Sequence, residues 1–261
     1  MGITMTEDIK KEIMNRREIM KAIDWDLDSD QNLGLPQPEL MKEKSSDTVI
    51  SLTKEFAGVL KTTNILHLIE NRSTRRKYTE EELSLDELSF LLWSTQGVKK
   101  VIGKERKATL RTVPSAGARH PFETYLFVNR VEGLTSGLYH YLPLTHELEL
   151  VKTIENQIDK VTAAFEDQTF YSNAPVGFVW TVVPYRSEWR YTVDAQKYSL
   201  LDAGHVCQNL YLAAEAIGGG VCAIGAYNQV LVDELLGLSS EASAENDNEF
   251  VVYAASVGKV E

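Results

Sequence analysis

Apolar positions along the chain change their period several times, and each change predicts an element. Between residues 8 and 25, Ile9, Ile13, Met14, Ile19, Met20 and Ile23 recur among charged neighbours, which predicts an amphipathic helix. The next stretch, "DLDSDQNLGLPQPELMKEKSSD", has no period and is dense in Asp, Pro and Gly, so it reads as an extended arm. Leu33, Leu35 and Leu40 make it too apolar for a free linker, and it is expected to wrap over the domain or over a partner subunit. Compact structure is expected from about Asn64. The chain therefore divides into an N-terminal helix and arm, 1–60, and a folded domain, 61–261.

Within the domain, "NILHLIENRS" predicts a short helix. In "SLDELSFLLWSTQGV", Ser84 and Glu87 have capping-box spacing, Leu88, Leu91 and Leu92 form the apolar stripe, and Gly97 ends the helix. "FETYLFV" predicts a strand, and "GLYHYLPLTHELELV" a hairpin that turns between Pro143 and His146. "GFVWTVVP" is apolar at nearly every position, which predicts a strand covered on both faces; "EFVVYAASVGK" predicts another. Between these two lies "DAQKYSLLDAGHVCQNLYLAAEAIGGG". It predicts a helix apolar or small on nearly every side, suited to a domain centre or a dimer interface, with His205 in its interior. Antiparallel strand signals mixed with separate helices make the fold class α+β rather than alternating βαβ units.

Composition narrows the function. The net charge of −11 argues against a general nucleic-acid binder, whose phosphate contacts need a basic face, and against docking on anionic lipid. No apolar run approaches a membrane span, and the N-terminus lacks the pattern of a signal peptide. Cys207 and Cys222 sit in apolar segments without CxxC or metal spacing. Buried free thiols and a cytoplasmic, reducing location are expected. The five histidines show no metal spacing, so no metal site is expected. There is no GxSxG, HExxH or P-loop, which leaves chemistry borrowed from a cofactor.

Against this acidic background, "NRSTRRKY" concentrates Arg72, Arg75, Arg76 and Lys77 beside Ser73. The planar fork of arginine suits a phosphate; the same residues also suit the cationic end of a helix. "PSAGA" places Pro114, Ser115, Ala116 and Gly117 where bare backbone N–H groups could meet a flat or anionic ligand, or simply turn the chain into the next strand. "GGGVCAIGAYN" holds more glycine than a helix cap requires, and Ala223, Ile224 and Gly225 again leave the backbone bare. It is not a dinucleotide fingerprint. Lys259 stands at the end of the last strand.

Taken in order, "ENRSTRRKYTEEELSLDELSFLLWSTQGV", "RTVPSAGARHPFETYLFV", "GLYHY", "LLDAGHVCQNLYLAAEAIGGGVCAIGAYN" and "YAASVGK" resemble the nitroreductase-like flavoproteins, and more narrowly their SagB-type dehydrogenase branch. The N-terminal "NRREIMKAIDWD" and "DQNLGLPQPEL" resemble that branch too, so the resemblance covers nearly the whole chain. It implies a nitroreductase-like α+β fold: a central, mostly antiparallel sheet flanked by helices, in an intertwined homodimer with FMN at the subunit interface. It implies that Arg72, Ser73 and Arg75 hold the FMN phosphate and ribityl chain, with Lys259 adding charge. Ser115, Ala116 and Gly117, following Pro114, would line the flavin edge. Ala223, Ile224 and Gly225 would come from the other subunit and present a backbone N–H near flavin N5.

Two departures from the family pattern bear on the site. Asn71 stands where an arginine is common, so one phosphate contact is either missing or moved to Arg76. Arg119-His120 replaces an aromatic before Pro121, which changes the wall of the substrate slot. Lys197-Tyr198 resembles the pair with which azoline-oxidising members remove a proton; it equally suits plain packing at a helix start. The activity implied is hydride transfer through FMN. The substrate is either an azoline ring in a modified peptide, or a nitroaromatic, quinone or enone reduced with NAD(P)H as donor. The alternative is a non-catalytic flavin-binding scaffold, a partner subunit of a peptide-modifying complex docked through the arm.

Overall fold

Sheet formation follows the apolar strands, and two layers of helices cover them. The computed structural model describes residues 6–21, 27–238 and 248–261. In chain order run α1 (Glu7–Glu18), α2 (Asp30–Leu33), β1 (Val49–Ser51), α3 (Ile65–Asn71), α4 (Leu85–Gln96), β2 (Val98–Ile102), β3 (Ala108–Arg111) and β4 (Phe122–Val128). Then come β5 (Gly137–Leu142), β6 (Glu147–Lys152), α5 (Gln157–Ala164), α6 (Thr169–Ser172), β7 (Val176–Val182), α7 (Tyr185–Tyr191), α8 (Ala195–Ala216), β8 (Gly219–Ile224), α9 (Gln229–Leu236) and β9 (Phe250–Lys259). Seven strands form one sheet in the order β1-β6-β5-β4-β7-β9-β8, with every neighbouring pair antiparallel. β2 and β3 form a separate ribbon.

Successive side chains of a strand point to opposite faces, so a central strand buried on both faces must be apolar throughout. On β4, Phe122, Leu126 and Val128 join a core with Leu88, Leu91 and Leu92 of α4 and Val206, Leu210 and Ala214 of α8. Tyr125 and Phe127 face a second core with Val161 and Ala164 of α5 and Val232 and Leu236 of α9. β7 divides in the same way, with Phe178 and Trp180 on one side and Val179 on the other. The capping box of α4 is present: Ser84 accepts from the Glu87 N–H, and Glu87 accepts from the Ser84 N–H.

Two expectations change. α1 ends at Glu18 and has no buried residue, so its apolar residues do not make it a core helix; Ile23 and its neighbours 22–26 lie outside the described residues. α8 is not buried all round. One face packs on the sheet, while Leu200, Leu201, Gly204 and His205 form an exposed stripe. Small and apolar residues on every side therefore mark two different surfaces, one packed and one left open.

The arm lies on its own domain. The Trp189 indole N–H donates to the Leu35 carbonyl, Gln37 donates to the Lys107 carbonyl, and Arg111 donates to the Leu40 carbonyl. Beneath it is a buried charge network. His140 lies between two carboxylates, 2.8 Å from Glu149 and 2.9 Å from Glu123, and Arg186 closes the row 2.6 Å from Glu123. The arm supplies the remaining donors: the Lys42 N–H to Glu123, and the Ser45 and Ser46 N–H groups to Glu149. Burial favours neutral imidazole, but hydrogen bonds and charge from the two carboxylates hold His140 up at about 9. Burial would raise Glu123, yet Arg186 and His140 hold its carboxyl well below the usual range. From the arm, β1 pairs with β6 at the edge of the sheet.

Candidate active site

The basic segment is drawn into an edge of the sheet rather than left at a helix end. α3 stops at Arg72, whose ψ of 122° turns the chain outward. Thr74 and Arg75 then run beside β8, with a parallel bridge from Thr74 to Val221 and the Arg75 N–H donating to the Val221 carbonyl at 2.9 Å. Gly220 makes this approach possible: a Cβ there would stand 2.9 Å from the Arg75 Cβ and 2.8 Å from its Cδ. Tyr78 locks the segment, donating to the Arg75 carbonyl at 2.8 Å with its hydroxyl 2.7 Å from Ser256 Oγ. Arg75 itself is under-used. Its Nη2 is 3.5 Å from the Glu215 carboxylate, and its buried Nε has no partner. A buried unpaired donor is costly, so this one is poised for an acceptor.

Tyr211 of α8 organises the same edge. Its hydroxyl accepts from the Ala223 N–H at 2.9 Å and lies 3.2 Å from Thr74 Oγ1, while the Arg72 guanidinium sits 5.3 Å over its ring. Ile224 is buried. Gly225 is exposed, and a Cβ there would meet nothing within 4 Å, which leaves open space over bare backbone. Arg72, exposed Ser73, Arg75, Ala223 and Gly225 thus share one region of a single chain. The sequence reading took Ala223–Gly225 from the other subunit; the parallel bridge puts them beside Arg72 and Arg75 of the same one.

Two basic residues are not brought there. Arg76 lies 5.6 Å over the Phe170 ring of α6, because neighbours along an extended segment face opposite ways. Lys259 is buried and forms an ion pair with Glu87, in a hollow also lined by Glu81, Glu82 and Glu132. The arginine segment instead borders a hollow of about 400 Å³ lined by Arg75, Arg76, Lys77, Tyr78 and Thr79.

The Pro114–Gly117 turn stands at the other end of α8. The Ala116 N–H donates to the buried Asp202 carboxylate at 3.2 Å, and Ser115 Oγ accepts from the His120 N–H at 2.9 Å. Burial pushes the Asp202 carboxyl up, partly offset by hydrogen bonds with Ser115 and Ala116. Gly117 has φ +54°, and a Cβ there would lie 2.4 Å from the Tyr191 hydroxyl. Ala118 and His120 also have positive φ, so the turn is held in a costly conformation by its surroundings. Arg119 does not wall a slot: it is buried, 5.3 Å from the Trp189 ring, and donates to the Lys107 carbonyl. Burial and the Arg111 charge push His120 down to about 3, so it is neutral at pH 7.

Tyr191 links this turn to the predicted pair, its ring meeting that of Tyr198 edge-on at 4.7 Å. Lys197 is half-buried and has no hydrogen-bond acceptor among the described residues. Asp202 and Tyr211 are nine residues apart, which separates the two halves by about 13 Å along α8 at 1.5 Å per residue.

Comparison with known proteins accounts for this arrangement. The model of the Nitroreductase family matches residues 69–259. The chain belongs to the nitroreductase family. It is an oxidoreductase of that family, with the family's α+β fold. The chain is 33% identical over 170 residues to MJ1384 of Methanocaldococcus jannaschii, which bears a nitroreductase name, covering 65% of this chain and 81% of that one. It is 32% identical over 146 residues to the trifolitoxin-processing protein TfxB of Rhizobium leguminosarum, covering 52% of this chain but 38% of TfxB. A chain of the Escherichia coli microcin synthetase McbBCD complex, solved with truncated pro-MccB17 bound, superposes with a TM-score of 0.58 at 19% identity over 97% of this chain and 92% of that one.

Two polar residues of α8 join these elements. The Tyr211 hydroxyl joins Thr74 to Ala223, two positions far apart in sequence. Asp202, in the same helix, accepts from the Ala116 N–H and anchors the turn. The weak signal for both was a polar group inside an otherwise apolar run, where burial without a partner would be unfavourable.

Proposed function

We propose that the protein is an FMN-dependent oxidoreductase of the SagB-type branch, working as a homodimer. The observation that carries this is Arg75, with a buried unpartnered Nε, bonded to β8 on the edge where Arg72 packs over Tyr211, in a strongly acidic chain. These residues fit a phosphorylated planar group: Arg72, Ser73 and Arg75 would donate to the phosphate, and Gly225, at the end of the Ala223–Gly225 segment, would leave room for a ring. When bound, FMN supplies the capacity to accept or donate a hydride. The chain's own residues bind, orient and hold protons. Asp202 and Tyr191 fix the Pro114–Gly117 turn, and Tyr211 fixes Ala223.

The homodimer reading is supported by exposed apolar surface that flanks the site. Leu200 and Leu201 of α8 are 59% and 55% exposed, and Ile65, Leu66 and Ile69 of the adjacent α3 are 58–60% exposed. A second copy covering this stripe would lie beside the site formed at α3 and α8.

Dehydrogenation of an azoline in a modified peptide is the first reading, in keeping with the likeness to TfxB and to a chain of the McbBCD complex. On this reading the adjacent Lys197 and Tyr198 remove the substrate proton. Reduction of a nitro compound, quinone or enone with NAD(P)H is the second reading, in keeping with MJ1384. The visible spectrum of the purified protein, before and after heat release of chromophore, tests the flavin; a colourless preparation that takes up no FMN refutes it. Under anaerobic conditions, bleaching by an azoline peptide but not by NAD(P)H supports the dehydrogenase, and the converse supports the reductase.

A further inference from the structure

The ribbon of β2 and β3 stands apart from the main sheet and has no part in the chemistry above. One strand is anchored and the other is free. On β3, Thr109 and Arg111 are buried, and Arg111 donates to Gln96 at 3.0 Å and to the Leu40 carbonyl at 3.1 Å. At its base, the Thr112 N–H donates to the Gly97 carbonyl, and the Thr112 hydroxyl to the Trp93 carbonyl. β2 pairs with β3 alone, and among the described residues nothing bonds to its outer edge. Its backbone donors and acceptors there are left to water.

The charge of this ribbon opposes that of the molecule. Residues 98–107 hold five basic side chains, Lys99, Lys100, Lys104, Arg106 and Lys107, against one acidic, Glu105, in a chain of net charge −11. All six are exposed. Lysines alone would shield a free edge from unwanted pairing. Val101, Ile102 and Leu110, at 45%, 38% and 40% exposed, are not needed for shielding and work against it. A free edge, positive charge and apolar side chains together are what an incoming strand of opposite charge requires. A small phosphate ligand would need a concave grip, and Lys99 and Lys100 stand on an exposed strand.

We infer that the outer edge of β2 docks an extended acidic peptide, which adds as a third strand with its carboxylates against Lys99, Lys100 and Lys104. Three residues beyond β3 lies Pro114, so the docked chain runs beside the segment leading into the Pro114–Gly117 turn. Delivery of that peptide to a flavin rests on the function proposed above; binding at the edge does not.

The test uses the full chain and a fluorescein-labelled decapeptide of alternating Glu and Val, followed by anisotropy at low salt. A second peptide of the same sequence carries N-methyl groups on alternate amides, which keeps the charge and removes strand pairing. The double variant K99E/K100E and the N-methylated peptide should each weaken binding about tenfold. Equal affinity for both peptides would reduce the effect to charge alone and overturn the inference, as would unchanged binding by the variant. Light scattering that shows the variant falling from dimer to monomer would overturn it too, because the edge would then belong to a second copy. Flavin absorbance separates the two ideas: peptide binding by a protein that takes up no FMN leaves the dock standing and removes the flavin.

Discussion

The buried row Glu149–His140–Glu123–Arg186 predicts an alkaline weakness of the fold. His140 has its pKa raised from 6.5 to about 9 by the two carboxylates it touches. A cation whose folded-state pKa lies above its unfolded value contributes stability that is whole below pH 6.5 and is lost as pH rises through 9. The difference corresponds to about 3 kcal/mol. For a chain of this size that is on the order of 10 °C in Tm between pH 6.5 and 9.5. Arg111, Arg186, Lys42 and Glu249 also lie near this row, and burial lowers Arg111 to about 10, so the slope below that pH reports His140. Glu149→Gln removes one of its two anions and should cut the alkaline loss to about half. The same change weakens acceptors for the Ser45 and Ser46 N–H groups, so hydrogen exchange at residues 42–48 should accelerate. Thermal unfolding of both proteins across this pH range is the assay. A wild-type Tm that stays level from pH 6.5 to 9.5, or a variant that keeps the full slope, refutes a protonated His140 holding the arm to the sheet.

Further expectations concern the site. Gly220→Ala puts a methyl 2.8 Å from Arg75 Cδ; it should cost about 1–3 kcal/mol in denaturant unfolding and lower FMN affinity together. Tyr211→Phe strips the acceptor from the Ala223 N–H; a loss of about 1 kcal/mol, with looser FMN binding in a fluorescence titration, is expected. Lys197→Met should abolish turnover of an azoline peptide while leaving flavin content unchanged; full turnover would return Lys197 to a packing role. On the acid side, Glu123 is held low by Arg186 and His140, so its contribution is present above pH 4.5 and falls away only well below it, which unfolding at pH 2–5 would show.

Much of the sheet was legible beforehand. β4, β5, β6, β7 and β9 coincide, to within one residue at an end, with the segments read as strands, because an unbroken or alternating apolar run leaves few other ways to bury it. The α4 cap was legible because its two hydrogen bonds are made within four residues. β8 was missed: its glycines and alanines have little strand propensity, and pairing with β9 overrides that. The β2–β3 ribbon was missed because its strands are short, mix apolar with basic residues, and bury the polar Thr109 and Arg111.

The sequence by itself determined which segments carry positive charge and bare backbone, and that the central strands need cover on both faces. These are local properties, set by residue type and by short-range periodicity. Only the tertiary structure decided which of them meet. Arg75 joins the Ala223 strand because Gly220 admits its side chain, while Arg76, one residue on, faces the other way, and Lys259 is drawn to Glu87. The same is true of His140, whose charge depends on Glu123 and Glu149 being carried to it by neighbouring strands. Such pairings depend on contacts between residues distant in sequence, and those exist only once the sheet and α8 have closed around them.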